Sequence, residues 1–163
     1  MSHASVLRVA TTEYANLYAV PIETSELRRR LRTAIEQARS NAAARRARSD
    51  AAVRDYEKFL TTVAVPVVQQ FANVLSAEGY HFNVATPASS VRLTSAGAGE
   101  DYIEIALDTT EDPPEVVGRT SRGRGRRMIA SERAVRERTA IAELNEEDVT
   151  AFLLAEIVSF VAR

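Results

Sequence analysis

Apolar residues recur at three- and four-residue intervals through much of the first half of the chain. Leu27, Leu31, Ala34, Ile35, Ala38 and Ala42 make one stripe, which predicts a helix with a single apolar face. Thr24 or Ser25 supplies its N-cap, and Glu26 puts an acid in the first turn. A second, stronger stripe of Tyr56, Phe59, Leu60, Val63, Val67, Phe71, Val74 and Leu75 runs to Gly79, a natural residue just past a helix end. No Gly or Pro interrupts residues 22–65, so the Ser49-Asp50 pair either caps a separate helix or is carried through one continuous helix. Pro66 lies inside the second stripe and is expected to kink the helix without ending it. Tyr14, Leu17 and Tyr18 allow one more short helix before Pro21.

Beyond Gly79 the period changes from helical to two. Segments 80–86, 90–95, 102–109, 115–121 and 126–132 alternate apolar with polar or small residues, and most are separated by Gly- or Pro-bearing turns. That is the pattern of an antiparallel meander with one buried face. Helical spacing returns at the end. Asn145 caps, Glu146, Glu147 and Asp148 fill the first turn, and Val149, Phe152, Leu153, Ile157, Phe160 and Val161 line one side. The chain therefore predicts an α+β fold: a long N-terminal helical arm, then a four- or five-stranded antiparallel meander. A kinked helix and a C-terminal helix should pack on one face of that sheet. Residues 1–49 read as the N-terminal segment and arm, and 50–163 as the α+β domain.

Composition narrows the chemistry. The 163 residues suit one domain of ordinary size. There is no cysteine, which excludes disulfides, thiolate nucleophiles and Cys-ligated metals and fits a reducing compartment. The first twenty residues lack the apolar core of a signal peptide, and no run is expected to approach the ~20 apolar residues of a span. The expectation is a soluble cytoplasmic protein with no membrane partner. Twenty of the 21 basic residues are arginine, with Lys58 the single lysine.

The net charge of −1 conceals blocks of opposite sign. Residues 28–48 hold eight arginines against Glu36. Residues 100–115 hold seven acids and no base, namely Glu100, Asp101, Glu104, Asp108, Glu111, Asp112 and Glu115. Residues 116–127 then return five arginines.

No assembled catalytic set is legible. His3 and His81 are the only histidines, and His81 is expected on the solvent face of its strand. The segment SAGAGE lacks the lysine and following helix of a P-loop and reads as a hairpin turn. The carboxylates of DTTEDPP, 108–114, suit a solvated turn better than a cation site. No catalytic residue, cofactor or metal ligand is therefore assigned, and the protein is expected not to be an enzyme.

Two surfaces remain. GRTSRGRGRRM, 118–128, is expected to be a basic hairpin whose arginines are partly answered by Glu104 and Asp108 on the neighbouring strand. Its alternative role is a polyanion grip of Arg119, Arg122, Arg124, Arg126 and Arg127, with Arg122, Arg124 and Arg126 on one face. Arg28, Arg32, Arg39 and Arg46 on the first helix would extend such a nucleic-acid site. The first helix is the other surface. Its stripe of Leu27, Leu31, Ile35, Ala38 and Ala42 needs a partner, either residues 50–78 folded back as a hairpin or the same helix of a second subunit. The second subunit is preferred, because the arginine stripe would also find acidic surface there. The reading is a non-enzymatic interaction and self-association protein, a homodimer, with nucleic-acid binding as the alternative.

Overall fold

A computed structural model describes residues 22–97 and 100–162, and the short helix expected around Tyr14 lies outside them. The element order is α1 (Thr24–Phe59), a π-helical turn (Leu60–Ala64), α2 (Val65–Ala77), β1 (Phe82–Ala85), β2 (Val91–Ser95), β3 (Tyr102–Asp108), β4 (Glu115–Arg124), β5 (Arg127–Ala134), a 3-10 turn (Ile141–Glu143) and α3 (Glu146–Val161). Two compact units divide between Arg39 and Ser40. The fold is α+β, as the patterning predicts.

The hairpin alternative for residues 24–78 is corrected: the backbone stays helical through Ser49-Asp50. The chain around Ser49-Asp50 is rich in Ala and Arg, both strong helix formers, and residues 22–65 hold no Gly or Pro to offset them. Pro66 acts one turn earlier than a simple kink. Its ring would crowd the carbonyl four residues back, and the helix responds by widening into the π turn, where Val65 N–H donates to the Leu60 carbonyl. Hydroxyls of Thr61 and Thr62 donate back to the Glu57 and Lys58 carbonyls at 3.0 and 2.8 Å, satisfying groups near the disturbance. Past α2, Gly79 adopts φ +88°, with Gly79 N–H donating to Ser76 O and Tyr80 N–H to Leu75 O. This pair of bonds is a Schellman cap.

The five strands form a meander in the order β1-β2-β3-β4-β5. Register puts Val84, Leu93, Ile103, Thr120 and Ser131 in one row across one face, and Val91, Ile105, Gly118 and Arg133 in the next. Each row is apolar at its β1–β3 end and small or polar towards β5. α2 covers β1 and β2, α3 covers β4, and the two helices touch. Tyr56, Phe59, Val68, Leu93, Ile105, Phe152 and Leu153 are among the core residues.

The helical stretch Thr24–Ala77 contains an 18-residue window of mean hydropathy 1.3, long and apolar enough to cross a membrane by length and composition alone. That corrects the expectation that no run approaches a span. Phe59, Ala64, Val67, Val68 and Ala72 of this stretch are core residues, which accounts for its apolar character.

α3 begins as the sequence predicts. The Asn145 side chain accepts from Glu147 and Asp148 N–H, and Asp148 accepts from Asn145 N–H, a reciprocal cap. Its Phe152 ring rests directly on Gly118: a Cβ there would lie 1.8 Å from Phe152 Cζ. The Arg133 guanidinium lies 4.7 Å from the same ring centre and pairs with Glu156 at 2.6 Å. Gly118 is needed for its lack of bulk. Replacing Gly118 with Ala should therefore lower unfolding free energy by about 2–3 kcal/mol, through overpacking. Urea denaturation measures this, and a change within ~0.5 kcal/mol, usual for a neutral surface site, would show that Phe152 does not sit there.

Candidate functional site

The face of the sheet opposite α2 and α3 carries a ladder of alternating charge. Arg92 on β2 stands opposite Glu104 on β3, Glu104 opposite Arg119 on β4, and Arg119 opposite Glu132 on β5. Glu104 is buried. It accepts the Ser90 hydroxyl at 2.5 Å and the Arg92 guanidinium at 3.2 and 3.3 Å. Arg92 in turn stacks 4.3 Å from the Tyr102 ring centre. Arg119 donates to Glu132, and that bond, with the nearby carboxylates of Glu104 and Asp108, raises its pKa. Cross-strand opposite charges stabilise a sheet by tenths of a kcal/mol per pair, so the ladder sets register more than it adds stability.

The expected placement of Asp108 directly opposite an arginine is corrected, although Arg119 is near enough to act on its charge. The register partner of Asp108 is Glu115, and its carboxylate instead accepts Thr110 N–H at 2.8 Å and the Thr110 hydroxyl at 2.7 Å. Those two bonds hold its pKa below the ordinary carboxylate value. Asp112 is bound bidentately by Arg48, at 2.9 and 2.6 Å, joining α1 to the β3–β4 connection across 64 positions of sequence. Glu111, the remaining carboxylate of the turn, is exposed. Among the described residues, no three His, Asp or Glu side chains group as metal ligands would. His81 Nδ1 lies 3.2 Å from the Ser76 hydroxyl at the surface.

The arginine segment is the β4–β5 hairpin. Its two-residue turn is Gly125-Arg126, with Gly125 at φ +63°, where a II′ turn wants glycine. The five arginines do not share a face. Arg119 belongs to the charge ladder. Arg122 points to the helix side and donates to Ser159 O in the last turn of α3 at 2.7 Å, where carbonyls lack helical partners. Arg126 sits in the turn, which corrects its expected alignment with Arg122 and Arg124. Arg124 and Arg127 face each other across the hairpin end. Of the five, Arg124, Arg126 and Arg127 are exposed and make no ion pair among the described residues.

On α1, Arg28, Arg32, Arg39 and Arg46 are all exposed and make no ion pair among the described residues. Arg29 and Arg30 differ, both donating to Glu26 at 2.7–2.9 Å. The apolar stripe between them is bare. Leu27, Leu31 and Ile35 are 54, 57 and 43% exposed, Ala38 is exposed, and Ala42 is half-buried.

Sequence reasoning missed two features. Arg92 and Glu132 complete the ladder, and only strand register brings them into it. The second is a groove of about 730 Å³ within the 40–163 unit, built from α1 residues near Ala51 and Ala52, the turn at Pro113-Pro114, and the segment ending at Ala140 and Ile141. Three distant stretches form it, so no local spacing announces it.

The described residues thus define an α+β domain whose sheet polar groups are largely spent on one another, preceded by a helix with an uncovered apolar stripe. Comparison with protein-family models, with curated proteins and with solved structures found no match to the chain.

Tyr56 anchors this end of the domain. Its hydroxyl lies 2.8 Å from Ser89 O and 3.3 Å from Ile105 O, and burial, then the charge of Glu104, push its pKa far above the ordinary value against the opposing pull of Arg119. A phenol with a raised folded pKa contributes stability fully present below its unfolded pKa of about 10 and lost as pH rises through the folded value. The difference in ultraviolet absorbance between wild type and Tyr56→Phe should show no phenolate near pH 11 until the chain unfolds. Phenolate appearing near pH 10 in folded protein would contradict the buried placement.

Proposed function

We propose that the protein is a non-enzymatic self-association module that forms a homodimer through α1. The observation that carries this reading is the exposure of Leu27, Leu31 and Ile35, three large aliphatic side chains at four-residue spacing on one helix face. Scattered surface leucines are ordinary, but an aligned ridge of them on one helix is what a partner helix or groove reads. Ala38 and Ala42 continue the ridge with small residues, which suits close approach of another backbone. A helix of this kind is marginal by itself in water and gains from docking.

Burying such a side chain contributes about 1.5–3 kcal/mol, so six of them in a two-fold pair give of order 10 kcal/mol gross. Association costs of roughly 4–15 kcal/mol offset much of that, and a micromolar dimer, at about 8 kcal/mol net, takes the upper part of what is left. The charge pattern supports the same partner: Glu26 answers Arg29 and Arg30, but Arg28, Arg32 and Arg39 make no ion pair among the described residues, and the chain carries surplus acid in residues 100–115. The polyanion alternative retains three hairpin arginines of five, since Arg119 and Arg122 are engaged within the domain.

Light scattering at tens of micromolar should give a mass near twice the 17.9 kDa of one chain. Leu31→Gln should return the monomer with unchanged helix content, because Leu31 is already solvent-exposed within the chain. A wild-type monomer at ~100 μM, two decades above the expected dissociation constant, would contradict the reading.

A further inference from the structure

We infer that the groove of the 40–163 unit receives the α1 arm, residues 24–39, of a second copy of this chain. The inference rests on the self-association reading and adds the surface on which the arm lands.

The groove floor is apolar, formed by Ala51, Ala52, Pro113, Pro114, Ala140 and Ile141. Its volume of about 730 Å³ is generous for a site left empty by the chain's own side chains. The rim carries four carboxylates, Asp55, Glu111, Asp112 and Glu115, against the guanidinium groups of Arg48 and Arg138. One of those pairs, Arg48 with Asp112, is closed on itself, which leaves Asp55 and Glu111 exposed and Glu115 half-buried, with Arg138 the remaining group of opposite sign in the groove lining. An apolar floor with an acidic rim selects an aliphatic ridge flanked by fixed positive charge.

The arm has that form. Leu27, Leu31 and Ile35 rise about 12 Å along the helix at 1.5 Å per residue. Arg28, Arg32 and Arg39 flank them and are exposed with no ion pair among the described residues. Helix-in-groove docking uses anchors at this four-residue spacing. Ala51 and Ala52 present methyl groups where a bulky side chain would hold an incoming helix away. Seating the arm also resolves an electrostatic difficulty. Two arms packed only on each other would concentrate the surplus arginines of residues 28–48, whereas the acidic rim offsets them. In a two-fold dimer the contact is made twice.

Because the chain has no cysteine, introduced thiols report without background. An Ala34→Cys chain and an Ala51→Cys chain, one carrying a mass tag, are mixed and treated with a short bis-maleimide after circular dichroism shows both folded; Ala34 is exposed beside the ridge and leaves its three anchors in place. The expected result is a tagged–untagged cross-link between the two variants, lost when Glu111→Arg and Glu115→Arg are added to the Ala51→Cys chain. If light scattering gives a dimer but Ala34→Cys links only to itself, the groove assignment is overturned and self-association stands. If the wild type is monomeric and no cross-link forms, both fall.

Discussion

The sheet has one apolar face, and covering it determines the rest of the molecule. Val91, Leu93, Ile103 and Ile105 turn their side chains to that face and are almost completely buried. α2 and α3 do the covering, and the closest point of the fit is Phe152 on Gly118. Once these two helices are in place the apolar face is closed. The stripe of α1 from Leu27 to Ile35 is not among the core residues. Its exposure follows from which elements the sheet requires, and it is the reason a second copy enters the functional reading.

Charge follows the same logic on a smaller energy scale. The opposing blocks of the sequence meet in part inside the folded domain, through Arg48 with Asp112 and through the ladder from Arg92 to Glu132. The exposed pairs among these, Arg48 with Asp112 and Arg119 with Glu132, contribute at most about 1 kcal/mol each, so they choose register and neighbours without holding the fold together. Arg122 is spent on a helix end and Arg119 on a carboxylate. What stays unanswered is the arginine of the arm and the hairpin tip on one side, and the acid at the groove rim on the other. Such complementarity steers partners and fixes orientation more than it adds affinity.

Most of the fold was legible because its signals are local. Asn145 with three acids behind it marks a helix start, Gly79 marks an end, and the change of period after Gly79 marks the sheet. The disruption at Pro66 was legible in place but not in form, since a π turn and a kink answer the same missing N–H. Ser49-Asp50 left a second helix start open beside one continuous helix, and the continuous helix forms because a cap signal competes poorly with helix formers on both sides. Register was the weaker inference: Glu104 does meet Arg119, but Asp108 meets Glu115, because the two ladder positions lie four residues apart and the charge blocks are of unequal spacing. The groove was invisible, as Ala51, Pro113 and Ile141 carry no shared pattern along the chain.

Protection of the arm tests self-association most directly. Amide hydrogen exchange of residues 24–39, followed as protein concentration is raised, reports whether that helix is covered by a second copy or stands alone in water. Docking on a second copy predicts protection that grows with concentration across the expected micromolar dissociation constant, while the α3 amides stay unchanged. Exchange in residues 24–39 that is fast at every concentration, or equally slow at every concentration, would contradict it.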